Sequence, residues 1–378
     1  MSERSGAVRR FGIRHAAPVV GTVAFVAALW CLYGAIKHYN YHDAMASFRA
    51  ISHSSLATCA GLTAASYFFL TLYDYLAIRF VGGKTPYRQI ATASFVGYAF
   101  SHNVGLAMIT STGIRFRLYS TWGLTASDIG RVVMLCGVTF WLGFLALGGV
   151  FLTVDAGPLP ASLRIPFATA RPIGLAFLVV LGGYVAFIGR RSGRAVEVHG
   201  FTMPVPNGSM TLAQIAVSVG DWATSAAAFY FLLPPESHTP LMHVMTAFLL
   251  AQVVGIVSHV PGGLGVFEFV MIACLGAGGR TQEVVGALLA FRFIHYFLPL
   301  MISALIMVVV EAHARGDAAR NVIRTAARWG GLVAPSVTTL LVFCAGVLLL
   351  VSGATPGVHD RLGWMSRVLP LPVVEASH

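Results

Sequence analysis

Long apolar segments constrain this chain more than any other feature. Only α-helices and closed barrels satisfy every backbone polar group in lipid, and the alternating pattern of barrel strands is absent. With 57% hydrophobic and 10% charged residues, the sequence predicts an all-α polytopic membrane protein with about seven spanning helices. The runs long enough to cross about 30 Å of hydrocarbon are 16–36, 55–80, 132–153, 173–189, 211–233, 284–310 and 336–352.

Two further apolar segments are broken by glycine and histidine, one in each half of the chain. Residues 96–103 read Val-Gly-Tyr-Ala-Phe-Ser-His-Asn, and residues 254–263 read Val-Gly-Ile-Val-Ser-His-Val-Pro-Gly-Gly. Paired broken segments point to a substrate path in a membrane protein. Glycine loosens a helix and proline cannot donate its backbone N–H, so these residues mark the breaks. The predicted break residues are Gly105, Pro261, Gly262, Gly263 and Gly265.

Basic residues in the loops predict how these segments are oriented, because cytoplasmic loops are enriched in Lys and Arg. Four arginines before residue 16 place the N-terminus in the cytoplasm. The basic clusters at 115–131 and 190–194 both stay inside if residues 89–112 enter and leave from the cytoplasm. The loop 234–238 has no Lys or Arg and is predicted to be external, so arms at about 241–258 and 264–277 enter and leave from outside.

The sequence therefore predicts two re-entrant helical hairpins that enter from opposite faces, in an inverted-repeat arrangement. The alternative is that each pair of arms is a fully crossing, glycine-kinked hairpin in a helical bundle with no transport role.

Ionisable residues inside the spans are the next signal, since a charge at a helix centre costs roughly 2.5–3.5 kcal/mol on insertion scales. Asp221 lies in the middle of one run, Arg292 lies in another, and Glu268 follows the second break. These three residues predict a paired cluster that lines a substrate path. The alternative is an ion pair with a purely structural role. Asp74, near the cytoplasmic end of its helix, belongs to this path or simply pairs with Arg79 at the membrane surface.

Three histidines lie close to these features. His102 and His259 recur at the two breaks, where they either bind a headgroup phosphate or cap exposed carbonyls. His295 follows Arg292 by three residues and so shares its helix face. A hydrogen-bonded packing role is expected for His295 in preference to a proton relay.

Arg115 and Arg117 come directly after the first hairpin. A guanidinium can bind a lipid phosphate through two parallel hydrogen bonds, but positive-inside anchoring already explains both residues well. The net charge of +11 resides in short loops of this kind and not on a soluble face, so no nucleic-acid partner is predicted.

Catalytic, cofactor and metal signals are lacking in the sequence. The five cysteines are scattered singly through apolar segments, without the spacing of a zinc site. There is no HExxH, Walker loop or GxSxG, and Ser101-His102 and Ser258-His259 are chain neighbours without an oriented base. We predict no cofactor, no metal and no catalytic residue. Thr125-Ala126-Ser127-Asp128 has the form of a capping box and predicts a helix over about 126–153.

Several motifs together resemble a known family. They are Asp74 between two tyrosines, Ser101-His102-Asn103, the stretch 113–119, the stretch 260–268 (Val-Pro-Gly-Gly-Leu-Gly-Val-Phe-Glu) and Arg292. The chain is similar over nearly its whole length to the transmembrane region of the lysylphosphatidylglycerol synthase/flippase (MprF-like) proteins. Full-length members continue into a cytoplasmic domain that transfers lysine or alanine from tRNA to phosphatidylglycerol, and no segment of this sequence resembles that domain.

The resemblance implies a flippase role and no enzyme activity for this chain. The implied partner is aminoacyl-phosphatidylglycerol in the cell inner membrane, and the implied outcome is resistance to cationic antimicrobial peptides. A synthase domain or a second copy of the chain is a further expected partner. In the predicted mechanism Asp221 and Glu268 face the ammonium of the headgroup, while Arg292 and Arg115 face its phosphate.

The predicted domains are a cytoplasmic segment at 1–15, a flippase-like region at 16–316, a basic interfacial segment at 317–335, and a final helix with its tail at 336–378. The chain is expected to be either a truncated fragment or a protein that carries only the flippase half. Two other functions remain open at this stage: secondary transport of a soluble substrate, and a scaffold for a separate lipid aminoacyltransferase.

Overall fold

The computed structural model describes residues 41–104, 107–155, 159–160, 167–191, 195–198, 201–258, 260–276 and 280–314. The predicted runs 16–36 and 336–352, the segment 317–335, and the turn residues Gly105 and His259 lie outside this range.

Helices dominate the described residues. In chain order they are α1 (Tyr41–Ala50), α2 (His53–Phe80), α3 (Tyr87–Val104), α4 (Ala107–Thr121), α5 (Ala126–Val154), α6 (Arg171–Arg191), α7 (Gly208–Tyr230), α8 (Leu241–Ser258), α9 (Val266–Leu275), α10 (Thr281–Phe291) and α11 (Leu298–Ala314). Short 3₁₀ turns lie at Pro235–Ser237 and Pro261–Gly263, and a π-helical turn at Arg292–Phe297 joins α10 to α11.

The five predicted spans that fall within the described residues are all helical. Within the described ranges, five segments are long and apolar enough to cross a membrane: α2, α5, α6, α8 and the continuous stretch 281–310. The set differs from the prediction at two places. Helix α8, predicted as one short arm of a hairpin, is itself long enough to cross, whereas α7 falls outside the set because its buried face is polar. That face carries Gln214, Ser218, Asp221 and Ser225.

Two features of the fold were not predicted from the sequence. The described residues are overwhelmingly helical, as predicted, but the loop between α6 and α7 adds an antiparallel hairpin of β1 (Ala195–Val198) and β2 (Phe201–Pro204). Its strands have only four residues each, too short for a period-two pattern to stand out. Helix α1 packs against α10, where the backbone of Phe48 approaches Gly286 closely.

Local sequence explains where several helices begin. Ser52, Thr125 and Asn207 are N-caps whose side chains accept backbone N–H bonds from Ser55, Asp128 and Met210 respectively. A cap of this type satisfies one of the donors that a helix start leaves free. The helix predicted at about 126–153 from the Thr125 motif is therefore confirmed, at Ala126–Val154.

Helices α2, α5 and α7 pack on one another and form the centre of the bundle. Lipid tails are as apolar as a helix surface, so membrane helices associate mainly through close packing. Small residues allow this close approach. Gly143 of α5 lies directly against Ser218 of α7, and Gly220 of α7 lies against the ring of Phe69. Helix α6 is peripheral, and apolar side chains such as Val179 (73% exposed) face outward, as expected of a lipid-facing helix.

The two broken segments form two pairs of adjacent helices. Helix α3 packs against α4, and α8 packs against α9. Helix α3 ends at Val104 and α4 begins at Ala107, and the predicted break residue Gly105 lies outside the described residues. The second arm of this pair extends to Thr121 and not to residue 112. The second pair turns at Pro261–Gly263, also as predicted. Each pair lies in its own cluster of buried apolar residues.

Candidate functional site

The turn of the second broken segment adopts a backbone conformation that suits glycine. Gly262, Gly263 and Gly265 have φ values of 62°, 61° and 80°, a region that other residues rarely enter. Helix α9 begins directly after this turn, and the carboxylate of Glu268 accepts a 2.7 Å hydrogen bond from the Gly265 N–H. The break therefore fixes Glu268 in the first turn of α9, where a helix dipole favours a negative charge.

Arg292 meets Glu268 from the other side. Its Nε donates to the Glu268 Oε1 atom at 2.5 Å, and its Nη1 donates to the Gly262 carbonyl at 3.1 Å. The guanidinium also lies 4.5 Å from the Tyr296 ring centroid and 5.3 Å from that of Phe267. The predicted pairing of Glu268 with Arg292 is present, and it ties the second break to the π-helical turn that starts at Arg292.

The two broken segments touch at their ends. A Cβ atom at Gly262 would lie 3.3 Å from the His102 carbonyl oxygen, close to the end of α3. Asn103 donates from its side chain to the Ala99 carbonyl at 2.8 Å and to the Tyr296 carbonyl at 3.2 Å. We call this meeting point of α3, the Pro261–Gly263 turn and the π-helical turn the tip junction.

Hydrogen-bonding capacity remains unused at the tip junction. Among the described residues, the buried Arg292 Nη2 and the buried His102 Nδ1 have no hydrogen-bond partner. Both side chains flank the same ring: His102 lies 6.0 Å from the Tyr296 centroid, and Arg292 lies over it. Buried polar atoms in proteins nearly always have a hydrogen-bond partner. The unused donor of the Arg292 guanidinium is therefore suited to binding a ligand.

Asp221 does not join this pair. Its two carboxylate oxygens accept hydrogen bonds from the Ser66 hydroxyl at 2.6 Å and from the Tyr73 hydroxyl at 3.0 Å. It lies in the contact between α7 and α2, with 6% of its surface exposed. The predicted three-residue cluster is therefore a pair plus a separate carboxylate, because side chains on different helices meet according to helix packing and not sequence spacing.

Asp74 and Arg115 form a second, separate ion pair. The Asp74 carboxylate receives two 2.7 Å hydrogen bonds from the Arg115 guanidinium, a bidentate arrangement, and a 2.8 Å bond from the Tyr119 hydroxyl. Arg115 also donates to Ser111. The idea that Asp74 pairs with Arg79 at the surface is wrong, because Asp74 is fully buried and Arg79 donates instead to the Gly83 carbonyl.

Arg115 differs from its predicted position at the inner surface. Because α4 continues to Thr121, Arg115 lies inside the bundle, only 3% exposed, and not in a loop after the hairpin. Its guanidinium is occupied by Asp74 and Ser111 and lies 4.5 Å from the Tyr98 ring centroid. Arg117, two residues further along α4, is half-buried.

His295 occupies the packing role expected of it. Its Nδ1 is 3.1 Å from the Thr63 hydroxyl, and its ring stacks on Phe291 at 4.8 Å. The π-helical turn changes the helical period between Arg292 and His295, so the simple three-residue spacing does not by itself place them on one face.

Sequence reasoning missed the aromatic and hydroxyl residues that complete these sites. Tyr73 binds Asp221, Tyr119 binds Asp74, and Tyr296 supports both Arg292 and Asn103. Arg292 is only four residues from Tyr296, but the other partners are 45 or more residues away in the sequence. The local sequence carried a partial signal: a buried tyrosine usually needs a partner for its hydroxyl group, but the neighbouring Asp74 is not that partner, because adjacent residues on a helix do not face each other.

The fold and these buried charges define a multi-pass helical membrane protein with ionisable residues held inside its bundle. The chain belongs to the family described as the lysylphosphatidylglycerol synthase transmembrane region, which it matches over residues 19–303. This membership supports a role connected with membrane lipid.

Several relatives share this region. The chain is 37% identical over 281 residues to the uncharacterized protein slr0712 of Synechocystis sp., covering 74% of this chain and 87% of that protein. It is 30% identical over 310 residues to the inner membrane protein YbhN of Escherichia coli K12, covering 82% and 96%. It is also 25% identical over 289 residues to a phosphatidylglycerol lysyltransferase of Staphylococcus aureus, covering 75% of this chain but 33% of that enzyme.

Proposed function

We propose that this protein moves an aminoacylated phospholipid, such as lysyl- or alanyl-phosphatidylglycerol, between the leaflets of the inner membrane. The observation that carries the proposal is the tip junction, where Arg292 pairs with Glu268 while its Nη2 atom makes no hydrogen bond within the described residues. Family membership, and the similarity to a phosphatidylglycerol lysyltransferase over the membrane region, support a lipid of this class.

The charges of the tip junction complement such a headgroup. An aminoacylated phosphatidylglycerol carries one phosphate anion and at least one ammonium cation. Arg292 offers its unbonded Nη2 to the phosphate, since guanidinium binds phosphate oxygens well. Each Glu268 oxygen accepts one described bond, and a carboxylate has about four acceptor positions, so it retains capacity for the ammonium. His102 Nδ1 lies beside the same site as a further partner.

Two broken segments that meet at their ends fit an alternating-access mechanism. In the proposed arrangement, the α3–α4 pair enters from the cytoplasm and the α8–α9 pair from outside, as an inverted repeat with the N-terminus inside. The headgroup passes through the polar tip junction while the acyl chains stay in lipid. Moving such lipids outward lowers the negative charge of the outer surface, which would reduce the binding of cationic peptides.

The test is outer-leaflet exposure of lysyl-phosphatidylglycerol in cells or vesicles that contain the protein and the lipid. We expect Glu268→Gln to slow exposure by about tenfold or more, because a hydrogen bond to a charged group contributes about 1.5–3 kcal/mol. Glu236→Gln, in an exposed turn, is the matched control and should behave as the wild type. Unchanged exposure in Glu268→Gln at equal protein level would contradict the proposal.

The same assay separates the other two functions. A transporter of a soluble substrate would leave lipid exposure unchanged while showing substrate-dependent flux. A scaffold for an aminoacyltransferase would tolerate Glu268→Gln and Arg292→Gln together. We also expect the purified chain to transfer no amino acid to phosphatidylglycerol on its own.

A further inference from the structure

Asp221 is a buried carboxylate whose only described partners are neutral. It lies near the middle of α7, and Ser66 and Tyr73 donate to its two oxygens. Among the described residues, no Lys, Arg or His forms an ion pair with it. The contrast with Asp74 and Glu268 is direct, since each of those carboxylates binds an arginine.

A charged carboxylate without a counter-ion is costly in a low-dielectric interior, and intramembrane carboxyl groups commonly carry protons in pumps and transporters. The other titratable groups that face Asp221 are the tyrosines 67, 73 and 98, from α2 and α3. On the α5 side the network ends at the main-chain carbonyl of Phe140. In the part of the chain that the structure describes, no charged group therefore holds Asp221 in its ionised form.

The hydroxyl groups around Asp221 can serve both its charged and its neutral form. Tyr73 has a single hydroxyl hydrogen, yet its oxygen lies 3.0 Å from Asp221 Oδ2 and 2.8 Å from the Ser218 hydroxyl. Ser218 in turn donates to the Phe140 carbonyl at 3.3 Å. Asp221 of α7, Tyr73 of α2 and Ser218 of α7 therefore form one continuous hydrogen-bonded chain that ends at the Phe140 carbonyl of α5.

When Asp221 is charged, Tyr73 donates its hydrogen to Oδ2. When Oδ2 carries a proton, that O–H donates to the Tyr73 oxygen, and Tyr73 turns its hydrogen to Ser218. Ser66 donates to Oδ1 in both states, and Ser218 donates to Phe140 in both. Only the Tyr73 hydroxyl hydrogen changes its acceptor, so a proton can bind or leave without movement of heavier atoms or loss of a hydrogen bond.

We propose that Asp221, Tyr73 and Ser218 form a reversible proton-binding site, and that proton binding there drives the lipid movement proposed above. The first half of this inference stands on the geometry of the site alone. The second half rests on the proposed function. It gives the protein an energy source, the proton gradient, that is distinct from the headgroup site at the tip junction.

The first experiment measures proton binding without transport. Infrared difference spectra of the purified protein are recorded as the pH is changed, because a protonated carboxyl group has a C=O band distinct from that of a carboxylate. We expect a band that is lost in Asp221→Asn, retained in the control Asp128→Asn, whose carboxylate is about one-third exposed, and displaced in its titration midpoint in Tyr73→Phe. A spectrum in which Asp221→Asn removes no titrating band would overturn the site.

The second experiment measures lysyl-phosphatidylglycerol movement in proteoliposomes with an imposed pH gradient. If one proton moves per lipid, the final distribution should change by about tenfold for each pH unit in the wild type. Asp221→Asn should lose this dependence, and Ser218→Ala should weaken it. If the lipid distribution in the wild type does not depend on the pH gradient, the proposed coupling of proton binding to lipid movement is wrong. If no lipid moves at all, the proposed function fails, while the infrared result still decides whether Asp221 binds a proton.

Discussion

The Asp74–Arg115 pair allows a quantitative test of what a buried arginine does in this protein. The sequence alone places Arg115 at the inner surface as a phosphate ligand, whereas the structure buries it against Asp74. The two roles predict different effects of the same substitution. If Arg115 is the buried structural partner of Asp74, replacing Arg115 with Met destabilises the fold. A phosphate ligand would instead affect transport and leave stability unchanged.

The expected magnitude follows from the environment of the pair. Asp74 is 0% exposed and Arg115 is 3% exposed, and two 2.7 Å hydrogen bonds join them. Removal of one partner leaves the other charge buried without compensation, which typically costs about 3–5 kcal/mol. Tyr119 and Ser94 would still bond to Asp74 after Arg115→Met and offset part of that cost, so we expect about 3 kcal/mol.

The assay is denaturant or thermal unfolding of the purified protein in detergent, with Asp74→Leu, Arg115→Met and the double variant compared with the wild type. Buried ion pairs replaced by apolar residues of similar volume are often as stable as the original. The double variant should therefore recover most of the stability that either single variant loses. Asp128→Asn is the control, because its partner Arg131 is 3.7 Å away and the pair is about one-third exposed, so a change of about 0–1 kcal/mol is expected.

Two results would refute this reasoning. One is an Arg115→Met protein with wild-type stability but no lipid movement, which would restore the phosphate role. The other is a double variant that loses the sum of both single effects, which would show that Asp74 and Arg115 act independently.

Two further predictions concern packing and capping in α5, and both are read from the same unfolding curves. Gly143→Ala should destabilise the protein by about 1–3 kcal/mol, because the added methyl group would overlap the Ser218 main chain, whereas Gly137→Ala meets open space and should not. Equal stability of these two variants would contradict the close α5–α7 contact. Thr125→Ala should cost about 1 kcal/mol through loss of the N-cap, and Thr125→Ser should retain most of the stability.

The helices and their breaks could be predicted from sequence because they depend on local chemistry. Apolar runs predicted five of the helices, Pro261 and the glycines after it predicted the second turn, and Thr125 predicted the start of α5. Each of these signals lies within one segment of chain. The short β-hairpin was missed for the opposite reason, since four-residue strands carry too little pattern to be recognised.

The pairing of charges could not be predicted because it depends on which helices touch. Asp221 and Ser66 are 155 residues apart in sequence, and Asp74 and Arg115 are 41 apart. Counting buried charges suggested one cluster of two acids and one base. In the structure Arg115 instead pairs with Asp74 and Arg292 pairs with Glu268. The described partners of Asp221 are hydroxyl groups.

This distribution of partners separates the functions that we assign to three buried carboxylates. Asp74 binds Arg115 through both oxygens with no described bond left unmade, so it is suited to a permanent structural role. Glu268 binds an arginine that still has an unbonded nitrogen, which suits a site that exchanges one partner for another as a headgroup passes. Asp221 has no cation at all among its described partners, and its hydrogen bonds are equally complete with or without a proton. In the mechanism that we propose, the headgroup site and the proton site use different groups, Glu268 of α9 and Asp221 of α7.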